Sequence, residues 1–302
     1  MSRLIIDTDV ATGVWHEGRP RDVDDGFAIA TAMTADDLKL IGITTTYGNA
    51  PITETTRVAT ELVDAAASDI PVTRGAAVPL DQSGRPPLQS NEAVEFIADQ
   101  LRDGPTAIAA IGPLTNIGIL AGCYPELMPN VQPLIIVAGR SRGRAFYLGD
   151  TGPVRDFNFE NDVQAAQLAL QAAPKVVMAG FELTSQVAIS EQDLAAIGRR
   201  DSPLAAYLYS RSVDWMKQWR SRFPDDIGFH PWDSATVAWL RRPGWFEVES
   251  RGWQITEIEP GRYWLETDPA FDGPRIIYCT GFAPGCARQF TEEIVATAGQ
   301  ET

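Results

Sequence analysis

A short apolar run, Leu4-Ile5-Ile6, opens directly into Asp7-Thr8-Asp9, and further on Asp22-Val23-Asp24-Asp25 leads into Phe27-Ala28-Ile29-Ala30. The first run reads as a buried strand and the last as a helix entering a core, so the carboxylates stand at a strand exit and a helix entry. Acidic side chains held this closely repel one another unless they are protonated or a multivalent ion neutralises them. The fold must therefore gather them where a hard cation can sit, and a divalent metal is the simplest neutraliser.

The rest of the chain repeats the same alternation. Leu4–Thr8, Leu38–Tyr47, Thr106–Ile111, Pro133–Ala138 and Lys175–Ala179 are β-rich runs that read as strands covered on both faces. Helical spacing lies between them, over Thr53–Ala67, Glu92–Arg102, Asp162–Ala172 and Leu204–Trp219, with Thr53 or Asn91 available as N-caps. The expected fold is α/β: an open, mostly parallel, Rossmann-like sheet flanked by helices. From about Pro243 the pattern changes. Trp245–Val248, Gly252–Ile255 and Arg275–Tyr278 alternate like antiparallel strands that extend the sheet, and a closing helix is expected over Ala283–Thr297.

In open parallel sheets, ligands collect at the carboxyl ends of the strands. Asp7 and Asp9 close the first strand here, Tyr47-Gly48-Asn49 the second and Gly112-Pro113-Leu114-Thr115-Asn116 the third, so one site can reach all three. The 302 residues, 44% of them hydrophobic, can bury a large core, and with no Pro/Gly/Ser-rich linker they are expected to form a single domain, 1–302. A net charge of −15 and a pI near 4.6 argue against nucleic acid or an anionic membrane as partner. Met1–Thr8 lacks a signal-peptide pattern and no apolar run reaches the ~18 residues of a membrane span, which gives a cytoplasmic expectation. Cys123, Cys279 and Cys286 are too scattered for a disulfide framework or a thiolate zinc site.

Several stretches together resemble the inosine-uridine-preferring nucleoside hydrolase family, whose hallmark is an N-terminal D-x-D-P-G-x-D-D run. Asp7-Thr8-Asp9 is similar to its first half and Asp24-Asp25 to its second, with Val10–Val23 inserted between them and the usual Pro-Gly missing. Gly42-Ile43-Thr44 to Gly48-Asn49 resembles the second strand and its Asn. Gly112–Ile117 resembles the G-P-L-T-N segment, Asp156-Phe157-Asn158 resembles E-F-N, and Trp232-Asp233 with Ala235–Ala238 resembles the late H-D-x-x-A-V-A helix start.

The resemblance implies the nucleoside hydrolase fold, a small-molecule ribonucleoside substrate, and a calcium ion bound by Asp9, Asp25, the Thr115 carbonyl and Asp233. It also implies metal-activated water with Asp9 as general base, Asp24 on a ribose hydroxyl, Asn49, Asp156 and Asn158 completing a polar cradle, and a dimer or tetramer. The chemistry agrees with these residue types. Cleaving an N-ribosidic bond develops oxocarbenium character on the sugar, so the site must favour positive charge and deliver water. Calcium takes about six to eight hard oxygen ligands, which leaves positions for water and ribose hydroxyls.

The departures bear on the substrate. Trp232 stands where the family has a His, which offers an aromatic face for the base in place of an imidazole. Trp215 and Trp219, four apart on one helix, fit packing better than the pocket. His230 and His16, the only histidines, are the candidates for leaving-group acid. The insertion Val10–Val23 reads either as a surface excursion or as a substrate-reading loop. Arg140-Ser141-Arg142-Gly143-Arg144, with Arg155, can be solvated or can meet a phosphate, and Asp150 and Asp156 replace the Glu and Asn expected near the ribose 5′ end. Two other readings compete. A haloacid-dehalogenase-like phosphohydrolase would use Asp7 as nucleophile but leaves Gly112–Ile117 and Trp232-Asp233 unexplained. A nucleoside- or ribose-binding protein without turnover would keep the cradle and lose the chemistry.

Overall fold

The computed structural model describes residues 1–80 and 88–298. Ten strands form one sheet: β1 Ser2–Thr8, β2 Leu38–Thr45, β3 Val72–Arg74, β4 Thr106–Ala110, β5 Val131–Val137, β6 Arg140–Ser141, β7 Val176–Ala179, β8 Phe246–Glu259, β9 Arg262–Asp268 and β10 Ile276–Phe282. Their spatial order is β3-β2-β1-β4-β5-β7-β10-β8-β9-β6. Pairings from β3 through β10 are parallel, whereas β10 with β8 and β8 with β9 are antiparallel. This is the expected mostly parallel α/β sheet with an antiparallel extension.

The apolar centre of β1, Leu4-Ile5-Ile6, has a direct cause. Leu4 and Ile6 pack into one apolar layer with Phe27 and Ile29, while Ile5 between them packs into the other with Val94 and Ile97. Successive side chains point to opposite faces, so the middle of a strand covered on both is continuously apolar. The covering helices are α1 Asp24–Thr34, α2 Ile52–Ala65, α3 Glu92–Arg102, α4 Thr115–Cys123, α5 Val163–Ala172, α6 Pro203–Arg222, α7 Ser234–Arg241 and α8 Cys286–Thr297. Among the described residues no helix is long and apolar enough to cross a membrane.

Some boundaries differ from the sequence expectation. Asn91 caps α3 by accepting from the Val94 N–H at 3.0 Å, but α2 begins after Pro51, which leaves Thr53 inside the helix. Trp245–Val248 and Gly252–Ile255 do not form separate strands. Phe246–Glu259 is one strand, and β9, reached through Gly261 at φ +75°, is an additional partner that the pattern did not reveal. The last helix starts at Cys286 because Gly285 takes a left-handed conformation at φ +81°.

Candidate active site

Register brings the functional strand exits side by side. Asp7 lies opposite Thr44 of β2 and Ala110 of β4, so the loops after β1, β2 and β4 leave the sheet together. Asp7 itself serves this junction: its Oδ1 accepts from the Thr44 hydroxyl at 2.6 Å and from Asn116 Nδ2 at 2.8 Å. Like Asp9 it is fully buried and does not itself line the cavity, but one of its oxygens is committed to tying β1 to β2 and α4.

Asp9, also fully buried, accepts the Asn49 backbone N–H on Oδ2 at 2.6 Å, while its Oδ1 has no partner among the described residues. Gly48 and Gly112 make room for it. A Cβ on Gly48 would stand 2.0 Å from Asp9 Oδ2, and one on Gly112 would stand 2.8 Å from the Asp9 nitrogen. Asp24 and Asp25 occupy the first turn of α1, where the partial positive charge of the helix end favours carboxylates. Asp25 accepts from the Thr8 hydroxyl, and Asp24 Oδ2 accepts the Asp233 backbone N–H at 3.3 Å. Asp233, just before α7, thus joins residues from the other end of the chain.

Burial raises the pKa of every acid in this group, and the neighbouring carboxylates raise it further. Asp24 and Asp25 are each pushed up to about 7, and Asp9 and Asp233 are held well above the usual carboxylate range. Asp22 joins them. The sequence places it in the acidic cluster without assigning it a ligand role, and its ligand oxygen lies within 4.8 Å of those of Asp24 and Asp25. One of its oxygens is buried without a partner among the described residues. An all-oxygen donor set, fully or partly buried, mutually repelling and carrying unpaired oxygens, fits a hard divalent cation.

Beside the cluster lies a cavity of about 560 Å³, within the range of small-molecule sites. Asp24, Asp233 and Asn49 line its acidic side. Asp156 and Asn158 line another part, Asp156 accepting the Gly139 N–H at 2.7 Å and Asn158 donating to the Ile111 carbonyl at 2.9 Å. Burial raises Asp156 to about 6.

Of the segment 111–116, two residues bear on the expected carbonyl ligand. Thr115 does not line the cavity, and its hydroxyl is turned to Asp162 Oδ2 at 2.7 Å. Ile111, next to the end of β4, is the residue of this segment that lines the cavity. The expectation for Asp150 needs correction. It is exposed in a turn closed by mutual backbone bonds of 2.9 Å between Leu148 and Thr151, and Leu148 and Pro153 line the cavity in its place.

Aromatic rings form the opposite wall. Trp232 stands 5.7 Å from Trp219, which stands 5.9 Å from Trp215, and all three line the cavity, so Trp215 and Trp219 are more than packing residues. His230 sits behind them, at 5.5 Å from Trp219 and 5.6 Å from Trp232, with Nδ1 against the Val187 carbonyl at 2.6 Å. It does not line the cavity, burial lowers its pKa, and it buttresses the wall from behind. His16 is half-buried in the hairpin of the insertion and does not line the cavity either.

The basic cluster after β5 is dispersed. Arg140 is fully buried with its guanidinium 3.7 Å from the Phe146 ring centre and 4.8 Å from that of Trp264, while Arg142 lies over Phe271. Of that group only Arg155 lines the cavity. The insertion is not a surface excursion throughout. Val10, Ala11, Val14 and Val23 belong to the core, Trp15 and His16 pair with Arg19 and Pro20 as a hairpin, and Arg19, Arg21 and Asp22 reach the cavity.

Comparison with known proteins agrees with this architecture. The sequence profile of the inosine-uridine preferring nucleoside hydrolases matches residues 4–273. The non-specific ribonucleoside hydrolase RihC of Salmonella newport is 32% identical over 273 residues, covering 82% of this chain and 81% of the relative. Among solved structures, a purine-preferring ribonucleoside hydrolase from Gardnerella vaginalis superposes with a TM-score of 0.82 at 21% identity, covering 98% of this chain and 99% of that one. The plant nucleoside hydrolase PpNRh1 gives 0.79 at 21% identity, covering 99% of each chain.

Proposed function

This chain belongs to the inosine-uridine preferring nucleoside hydrolase family, and on that premise we propose that it hydrolyses the N-glycosidic bond of a ribonucleoside in a calcium-dependent reaction, releasing free base and ribose. It is a glycosidase with an acidic cluster able to hold a divalent metal. The observation that carries the finer reading is the meeting of Asp9, Asp24, Asp25 and Asp233 beside one cavity, with a buried oxygen of Asp9 left unpaired.

Asp9, Asp25 and Asp233 would hold the ion, with Asp22 and the Ile111 carbonyl as further oxygen donors. When bound, a divalent cation supplies Lewis acidity that orients ribose hydroxyls and acidifies water. Asp9 takes the proton of the attacking water through its unpaired Oδ1, the Asn49 N–H holding its other oxygen in place. Asp24 accepts a hydrogen bond from a ribose hydroxyl, and Asn49, Asp156 and Asn158 fix the remaining sugar oxygens. The carboxylates also favour the positive charge that develops on the sugar. The base lies against Trp232 and its neighbours, a contact that every base can make. With His230 behind that wall, the departing base takes its proton from water in the cavity while the rings hold it in place.

The test is release of reducing sugar from a nucleoside panel, with and without chelator. Turnover restored by calcium supports the reading. Undiminished turnover of metal-stripped enzyme rejects the role given to the ion, and tight binding without sugar release would point to a binding protein.

A further inference from the structure

The acids and the aromatic wall account for ribose and base, but not for four arginines. Arg19, Arg21, Arg155 and Arg222 all line the cavity, in a chain with 25 basic and 40 acidic residues. They arrive from the insertion, from the loop before Asp156 and from the end of α6. The acids beside them are buried or half-buried, whereas Arg19, Arg155 and Arg222 are exposed, so the basic groups form the outer rim of the site.

Arg21 is the informative member. It is 7% exposed, and its Nη2 meets Glu17 at 2.7 Å, but its Nε is buried with no partner among the described residues. A guanidinium N–H withdrawn from water without an acceptor is costly unless a ligand supplies one. Glu17 and the nearby Asp22 meet its charge, but neither accepts from Nε. Arg19 faces Arg21 and Arg222, two like charges, with Asp22 and Glu17 as the acids nearby. Arg222 lies over the Phe223 ring at 5.3 Å, and Arg155 is engaged with Glu160 at 3.3 Å. Positive groups converging around one opening, one of them with a buried donor unused, describe a receptor for an anion.

Resting on the nucleoside hydrolase reading, we propose that the substrate is an anionic ribonucleoside, with a phosphate on the ribose or an acidic group on the base, and that Arg21, Arg19 and Arg222 receive its negative oxygens. A guanidinium fork matches phosphate and carboxylate equally well, so the source of the charge is decided by experiment.

The experiment compares kcat/KM for inosine and uridine, their 5′-monophosphates, and orotidine, whose base carries a carboxylate, in calcium at low and high salt. One anionic class is expected to exceed the neutral nucleosides by roughly tenfold or more, with the advantage shrinking as salt rises. Preference for the monophosphates assigns the arginines to ribose phosphate, and preference for orotidine assigns them to the base. In the double variant R19A/R222A, both sites exposed, the anionic-to-neutral ratio should fall towards one. A general loss of activity would lower both rates and leave that ratio alone.

Neutral nucleosides cleaved as well as or better than anionic ones would overturn the inference while leaving the hydrolase reading intact, and so would a ratio that the double variant does not change. If no nucleoside of either kind is cleaved, the hydrolase reading fails. Calorimetry with ribose 5-phosphate and ribose then decides the anion site alone: tighter binding of the phosphate that R19A/R222A abolishes supports it, and equal affinity overturns it.

Discussion

Removing the metal should destabilise this protein, and the penalty should grow with pH. Asp24 and Asp25 each rise from 3.8 to about 7 in the folded chain, which corresponds to roughly 4 kcal/mol per group, not additive because they interact. The folded-state pKa is raised, so the contribution to stability is fully present below the unfolded value near 3.8 and is lost as pH climbs through about 7. Metal-free protein should therefore weaken between about pH 4 and pH 8 as buried carboxylates are forced to ionise. A bound divalent ion reverses the cost, because it stabilises the charged form. At roughly 2 cal/mol/K per residue of unfolding entropy, 4 kcal/mol corresponds to about 5–10 °C in Tm for a chain of this size. The assay is thermal unfolding in calcium and in chelator at pH 5 and pH 8. The gap in Tm should be small at pH 5 and reach about this range at pH 8. A gap that is absent, or that does not change with pH, would refute the reasoning that these acids are ionised around a cation.

Three further outcomes follow from the same geometry. Asp9→Asn keeps an acceptor for the Asn49 N–H but cannot take a proton, so kcat should fall by about 10²–10⁴ with the fold intact, and a wild-type rate in steady-state assays rejects Asp9 as base. Gly48→Ala places a Cβ 2.0 Å from Asp9 Oδ2 at a backbone φ of +153°, so Asp9 must move. Its kcat should drop with a stability loss of about 1–3 kcal/mol, read by activity together with denaturant unfolding. Trp232→Ala removes a stacking face and should raise KM by roughly tenfold, with purines and pyrimidines both affected, and an unchanged KM would place the base elsewhere in the cavity.

How much of this was legible beforehand depends on whether a feature is local. The parallel sheet was readable because burial on both faces leaves an unbroken apolar run, and the acid group was readable because β1 and α1 carry most of it within one stretch of chain. β9 was not, since Arg262–Asp268 alternates half-buried with buried residues and its burial comes from the neighbouring strand, not from a pattern of its own. Asp150 failed for a related reason. Its placement follows from a turn in which Gly149 has φ +54° and the chain doubles back at Leu148 and Thr151, so a polar residue in a plausible position ends on the outside.

The insertion marks the same limit from the other side. Nothing periodic in Val10–Val23 says which side chains turn inward, and the deciding contacts lie elsewhere: Gly13, at φ +78°, sits where a Cβ would be 2.4 Å from Arg211 of α6. That close approach seats the hairpin against the helix that also carries Trp215, Trp219 and Arg222. On the proposed reading, the arginines that meet the substrate's outer parts come largely from that segment and this helix, while the acids come from the exit of β1 and the starts of α1 and α7. Arg140 adds a consistency check, because the strongest basic signal in the sequence is held between two rings and makes no contact with the cavity. Arg140 and Arg21 both bury guanidinium nitrogens that have no partner among the described residues, but only Arg21 lines the cavity, and a positive group contributes to recognition only where a ligand can reach it.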